Sequence, residues 1–251
     1  MSRPIPWEAL EAAELDPDDR RAVGERWKAR QVQEHLAVGA FAQLSWEAAA
    51  HGADPVVLAL LTRAASDEVR HAEICRRTAA LFLGDAAVPA RLHGTLRAPR
   101  HPGASPADRA LYHVVEMCCL SETFTGVYLT EALAGTIHPT MRGVLESLLE
   151  DEIDHGRVGW AHLAATARER SVEGLSVALP DMFDRTVGRV HRGLAADHEP
   201  DVAARRALGH LANDACEGLL RQTLREVILP GFETLGVDLG PAQAKIRAEG
   251  W

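Results

Sequence analysis

Residues 67–71 read Asp-Glu-Val-Arg-His, and residues 151–155 repeat that pattern as Asp-Glu-Ile-Asp-His. Residues three apart lie on one face of a helix, so each Glu-x-x-His aims one carboxylate and one imidazole at a common point. About one such motif is expected by chance in a chain of this composition, but two copies that share an Asp and a β-branched residue are not. We therefore expect two facing helices that hold two metal ions.

The composition narrows the class of protein. With 251 residues, 47% of them hydrophobic, the chain can bury a sizeable core, and we expect one domain over residues 1–251. A net charge of −9 argues against partners such as nucleic acids or anionic membranes. The absence of a long apolar run or a signal peptide predicts a cytoplasmic protein. The four cysteines form no C-x-x-C motif, which excludes a rubredoxin-type iron site or a zinc ribbon.

Helix-forming residues dominate the chain, and alternating β-branched runs are scarce, so we predict an all-α fold. Gly and Pro mark the ends of the helices. We expect a tail from Gly231 onward to be irregular and to wrap the surface. The predicted helices cover about 20–50, 55–83, 106–134 and 139–170, with two or more further helices over about 178–233.

The connections between these helices select a topology. Short connections join the first helix to the second and the third to the fourth, so each pair should form an antiparallel hairpin. The Pro- and Gly-rich segment 85–105 is long enough to cross the bundle. Two hairpins with one long crossover form a ferritin-like four-helix bundle, in which a Glu from the preceding helix accompanies each Glu-x-x-His. We place this core at about 20–170 and accessory helices with a tail at about 171–251.

Helical periodicity selects the two accompanying carboxylates. Glu34 shares a face with apolar residues of the first helix, whereas Glu47 lies more than a right angle away around it. In the third helix, Glu122 shares an apolar face, and Glu116 lies on a more polar stripe. We prefer Glu122 and keep Glu116 as the alternative.

The resulting set has four carboxylates and two imidazoles, which suits two iron ions, with dimanganese or mixed Mn/Fe as alternatives. We expect Glu68 and Glu152 to bridge the ions and the other two glutamates to be terminal. Asp67 and Asp151 can each reach the distal nitrogen of a His across the bundle and fix its tautomer. The predicted metal ligands are Glu34, Glu68, His71, Glu122, Glu152 and His155.

On these residues the chain resembles the ferritin-like diiron-carboxylate superfamily over about residues 24–170. The resemblance implies an Fe(II) pair that reacts with dioxygen. Some branches fit poorly: Cys75 stands where ribonucleotide reductase small subunits usually carry a Tyr, and Leu148 stands where arylamine N-oxygenases carry a third His. A substitute for that third His could come from the C-terminal helices, which offer His191, His198 and His210.

These observations predict an oxygenase or oxidase that uses O2 on a small organic substrate and receives electrons from a ferredoxin or reductase. We expect a monomer or homodimer. Iron or peroxide handling by a ferroxidase and a metal-free structural bundle are the alternatives. The residues leave open the substrate, the reaction subtype, the electron donor and the metal. The expected lining of the substrate pocket is Phe41, Cys75, Cys119, Thr125 and Leu149, with residues 171–251 as further walls.

Overall fold

A proline begins each of the four longest helices, where its missing N–H costs no hydrogen bond. The side chains of Asp16, Asp54 and Ser105 cap three of them by accepting hydrogen bonds from backbone N–H groups. The structure is a computed structural model that describes residues 4–10, 15–196 and 202–250. The four helices are α1 (Pro17–Ala50), α2 (Pro55–Leu83), α3 (106–135) and α4 (Pro139–Glu169).

Helix α3 changes its winding along its length. It is α-helical over Pro106–Val114, π-helical over Val115–Glu122, and α-helical again over Thr123–Gly135. A π-helical segment has more residues per turn than an α-helix, so it shifts the faces on which later side chains lie. Glu122 is the last residue of this segment.

The four long helices pack as two hairpins. Helix α1 packs along α2, α3 packs along α4, and α2 contacts α4 between the pairs. Segment 85–105 runs along α1, where the Gln31 side chain donates to the carbonyl of Pro89 (2.9 Å) and Leu96 N–H donates to the carbonyl of Leu36 (3.4 Å). The prediction of an all-helical chain is confirmed over the described residues, which contain no strand.

Four further helices follow α4 in the described part of the chain. They are α5 (174–196), α6 (Ala203–Arg206), α7 (213–234) and α8 (Gly240–Glu249). Helices α5, α7 and α8 share a hydrophobic core with α3 and α4, in which Leu120 and Leu163 meet Leu179, Phe183 and Phe232. The accessory helices therefore support the third and fourth helices from outside.

The prediction of an irregular tail after Gly231 is wrong. Helix α7 continues through Gly231 to Thr234, and α8 adds ten more residues that pack on α5. The reason is burial: Phe232 and Ala242 are wholly inaccessible to solvent, and that apolar contact outweighs the local preference of Pro and Gly for a turn. Within the described ranges, no helix has the length and apolar character needed to cross a bilayer.

Candidate metal centre

The six predicted ligands lie together in the interior of the four-helix bundle. Glu34 comes from α1, Glu122 from α3, and one Glu-x-x-His motif each from α2 and α4. All six residues are buried. In each of two groups of four, the potential ligand atoms lie within 4.8 Å of one another. Glu68 and Glu152 belong to both groups; Glu34 and His71 complete the first, and Glu122 and His155 complete the second.

Each motif histidine turns its Nδ1 atom toward the carboxylates. His155 Nδ1 lies 3.3 Å from an oxygen of Glu68 and 3.3 Å from an oxygen of Glu152. His71 Nδ1 lies 3.5 Å from Glu152, 3.7 Å from Glu68 and 4.0 Å from Glu34. These separations exceed a normal N–H···O hydrogen bond. They match the spacing of roughly 3.0–4.2 Å between ligand atoms about 2.1 Å from one octahedral ion.

The outer nitrogen of each histidine faces an aspartate of the opposite motif. His71 Nε2 lies 3.1 Å from Asp151 Oδ2, and because a carboxylate only accepts, Nε2 carries the hydrogen. The corresponding distance from His155 Nε2 to Asp67 is 3.6 Å. This hydrogen bond leaves Nδ1 of His71 facing the carboxylates, where it can bind a metal ion once it has lost its proton.

Arginines on the outer side of the bundle pair with these aspartates. Arg70 forms an ion pair with Asp151 and donates to the hydroxyl of Ser147 (2.8 Å). Arg63 lies 3.3 Å from Asp67. Each aspartate thus lies between an arginine and a buried imidazole, and Asp151 is within hydrogen-bond distance of its imidazole.

The polar atoms at the middle of the cluster lack hydrogen-bond partners. They are Glu68 Oε2, both carboxylate oxygens of Glu152, and the Nδ1 atoms of His71 and His155. An unsatisfied buried polar atom costs about 1–3 kcal/mol, and more when it is charged. Shared cations would satisfy all five atoms at once, so the donor set fits buried metal ions.

Burial and mutual repulsion set the protonation of the cluster. Burial raises the pKa of Glu34 to about 8 even though Arg30 lowers it, and burial together with Glu152 raises the pKa of Glu122 well above its ordinary value. For His71 and His155, burial opposes the charged form, but the carboxylates of Glu152 and Glu68 raise the pKa to about 9 and about 10. Protons therefore neutralise the carboxylates unless metal ions replace them.

The two glutamates that both groups share carry the negative charge of the cluster. Burial disfavours the charged forms of Glu68 and Glu152, but the facing imidazoles of His155 and His71 outweigh it and lower the pKa of both carboxyls. These two glutamates are the ones common to both groups. Their position between two imidazoles suits the bridging role that the sequence assigned to them.

Sequence reasoning missed one charged residue beside the cluster, Arg30. Its Nε donates to Glu34 Oε1 at 2.6 Å, and its Nη2 lies 3.8 Å from Glu152. Its guanidinium lies 5.9 Å from the ring centroid of Tyr128. Burial opposes its charge, but Glu34 and then Cys75 raise its pKa. The available signal was its spacing of four residues from Glu34, the spacing of a helical ion pair.

The alternative carboxylates have other partners. Glu116 accepts two hydrogen bonds from Arg185, at 2.9 and 2.7 Å. Glu47 Oε2 lies 2.6 Å from His113 Nδ1. Neither belongs to the two groups of ligand atoms, whereas Glu122 does.

The residues predicted to line a substrate pocket do not share one environment. Phe41 is buried and its ring lies 5.0 Å from that of His155. Cys75 is buried near Glu34, while Cys119 belongs to the core shared with the accessory helices. Thr125 and Leu149 are partly buried. Their role as a pocket lining stays a prediction.

Of the proposed substitutes for a third histidine, none joins the two groups of ligand atoms within the described residues. His191 lies 3.3 Å from Glu217, and His210 lines a small cavity beside Arg30. His198 lies outside the described residues.

Comparisons of the chain with protein-family models, with curated proteins and with solved structures found no match. The functional assignment therefore depends on the geometry of the centre.

Proposed function

We propose that this protein is a ferritin-like diiron enzyme that uses O2 to oxidise or oxygenate a small organic substrate. The observation that supports it most strongly is the set of unpartnered Nδ1 and carboxylate atoms at ligand-to-ligand distances. Four carboxylates balance the charge of two divalent ions, and mixed oxygen and nitrogen ligation suits iron or manganese. When bound, a reduced iron pair supplies the electrons that activate O2.

Different side chains of the chain would bind each of the two metal ions. Glu68 and Glu152 would bridge the two ions, with Glu34 and His71 completing one site and Glu122 and His155 the other. Asp151 would hold the Nε2 proton of His71 and keep its Nδ1 available. The buried positions of all six ligands would keep bulk water from the reacting centre.

Apolar side chains would surround the reacting centre. The ring of Phe41 lies 5.0 Å from that of His155 at a tilted angle, and Cys75 is fully buried near Glu34. Burial raises the pKa of the Cys75 thiol well above its ordinary value, which keeps it a neutral wall residue. The electrons for repeated turnover would come from a separate ferredoxin or reductase.

Oxygen uptake tests this proposal. Protein loaded anaerobically with two equivalents of Fe(II) is mixed with O2, with and without a continuous supply of chemical reductant. We expect two iron ions per chain to react and uptake to continue with reductant, and we expect Glu152→Ala to abolish both. Oxidation of many further equivalents of Fe(II) by an assembly of several hundred kilodaltons would instead identify a ferroxidase. Uptake that is equal in wild type and Glu152→Ala would contradict an oxidative role of the centre.

A further inference from the structure

A buried positive charge lies beside one half of the candidate metal centre. Arg30, whose side chain is 15% exposed, donates from Nε to Oε1 of Glu34 at 2.6 Å. Its Nη2 atom lies 3.8 Å from Glu152. Glu122, the corresponding carboxylate of the other group, instead faces the carboxylates of Glu152 and Glu68 and has no ion-pair partner among the described residues. The two groups of ligand atoms therefore have different electrostatic surroundings.

The other charged groups around the centre do not cancel this difference. Behind each motif histidine, an arginine pairs with one or two aspartates: Arg70 with Asp151 behind His71, and Arg63 with Asp67 and Asp154 behind His155. These arginines therefore have acidic partners that are not candidate metal ligands. Arg30 differs from them, because both of its ion-pair partners in the described part of the chain, Glu34 and Glu152, are candidate ligands.

Arg30 acts on Glu34 as a metal ligand in two ways. Its hydrogen bond engages Oε1 of Glu34, and Oε2, which lies 4.0 Å from Nδ1 of His71, is the oxygen that faces the cluster. A guanidinium also stays protonated in proteins, so its positive charge repels a divalent cation bound nearby. This repulsion is strong because buried surroundings screen charge weakly. Both effects weaken metal binding by the group that contains Glu34.

We propose that Arg30 makes the two metal sites unequal, so that the Glu122–His155 group binds the first ion and the Glu34–His71 group binds the second ion more weakly. This inference rests on the proposed function, because both require a centre that binds two ions. Arg30 is then a positioning residue, which acts on the ion through Glu34 and through its own charge. The ion bound by Glu34 and His71 is the one that is lost first when metal is scarce.

Calorimetric titration with Mn(II) tests this inference in variants that keep one site each. His155→Ala leaves the Glu34–His71 group intact, and His71→Ala leaves the Glu122–His155 group intact. Each variant binds a single ion, so repulsion between two ions does not obscure the comparison. Adding Arg30→Gln to His155→Ala should tighten Mn(II) binding at least about tenfold, because the positive charge is removed. Adding Arg30→Gln to His71→Ala should change the affinity by less than about threefold.

Two further substitutions in the His155→Ala protein serve as controls. Arg30→Lys keeps the positive charge, so Mn(II) should bind as weakly as it does with Arg30 in place. Arg21→Gln removes an arginine of the same helix that pairs with Asp18 at the surface, and it should leave the affinity unchanged. Glu122→Gln provides a second background that keeps the Glu34–His71 group, and circular dichroism establishes that each variant retains its helices.

Three results would overturn the inference. The first is an equal effect of Arg30→Gln in the His155→Ala and His71→Ala proteins. The second is weaker Mn(II) binding after Arg30→Gln in His155→Ala, which would mean that Arg30 helps Glu34 to hold the ion. Either result in a protein whose wild type binds two Mn(II) ions would leave the proposed function standing. The third is a wild type that binds neither Mn(II) nor Fe(II), which would overturn the proposed function as well.

Discussion

At the scale of single residues, the inward nitrogen of each motif histidine determines what the cluster can bind. His71 Nδ1 and His155 Nδ1 face carboxylate oxygens, and their Nε2 atoms face Asp151 and Asp67. A metal-binding nitrogen must be unprotonated, so protons and metal ions compete for the same atoms. This competition gives the centre a measurable dependence on pH.

Metal binding should release protons. The pKa values of about 9 for His71 and about 10 for His155 mean that both imidazoles are protonated at pH 7. Glu34, with a pKa of about 8, is largely protonated too, and burial together with Glu152 raises the pKa of Glu122 well above its ordinary value. We expect about three to four protons to leave when two ions bind, so affinity should rise with pH between about 6 and 8. Calorimetry in buffers of different ionisation enthalpy measures this number, and release of no protons would contradict the assignment.

The aspartate behind His71 should affect metal affinity without being a ligand. Asp151 accepts the Nε2 hydrogen of His71 at 3.1 Å. Asp151→Asn should weaken metal binding by about 10- to 100-fold, because it removes the charge that keeps the histidine oriented and basic. The control is Glu150→Gln, a change at the exposed neighbouring position. Competition with a chelator gives both affinities, and equal values would assign Asp151 no part in the centre.

The six candidate ligands were predictable from the sequence, but Arg30 was not. A carboxylate on an apolar helical stripe needs a partner in the interior, and this requirement selected Glu34 and Glu122 over Glu47 and Glu116. An Arg four residues before a Glu, by contrast, is the ordinary pattern of a solvated ion pair. Only the structure shows that Arg30 reaches Glu152 of α4 and the ring of Tyr128 of α3 inside the bundle.

At the scale of elements, the contact between α3 and α4 positions Glu122. Gly159 on α4 lies against the π-helical segment of α3, and a Cβ atom there would collide with the side chain of Cys118. Cys118 lies four residues before Glu122, and burial together with Glu122 raises the pKa of its thiol. The missing side chain thus allows α3 to approach closely enough for Glu122 to reach the cluster.

Gly159→Ala should destabilise the fold by about 1–3 kcal/mol through overpacking. It should also weaken metal binding by the group of ligand atoms that contains Glu122. Gly156→Ala, one turn earlier on the same helix, is the matched control, because its Cβ would meet Thr123 at ordinary contact distances of 3.5–3.7 Å. Denaturant unfolding and metal titration measure both effects. A Gly159→Ala protein as stable as Gly156→Ala would show that the close approach is unimportant.

The bounds of the long helices were predictable because they are set locally, whereas the π-helical segment and the helical tail were not. Proline with a preceding Asp or Ser fixes three of the helix starts. The first helix begins at Pro17, slightly before the predicted start, because Asp16 caps it. In α7 the sequence was misleading, because Gly231 predicted the start of an irregular tail. In the structure Gly231 continues the helix, and its missing side chain leaves room for the ring of Trp160.

At the scale of the whole molecule, the four long helices hold the cluster and the accessory helices brace one side of it. The hydrophobic core of α5, α7 and α8 continues into α3 and α4, and Arg185 of α5 binds Glu116 of α3. This bracing gives Glu116 a structural partner, so Glu122 is the candidate ligand from the third helix. Substitution of Glu122 should therefore lower the metal content, whereas substitution of Glu116 should not.

The most direct test is the metal content of purified protein after anaerobic Fe(II) loading and removal of unbound metal. We predict about two iron ions per chain for the wild type and for Glu116→Gln, and one or fewer for Glu122→Gln. A wild-type content near zero, or a loss in Glu116→Gln that Glu122→Gln does not show, would contradict the account.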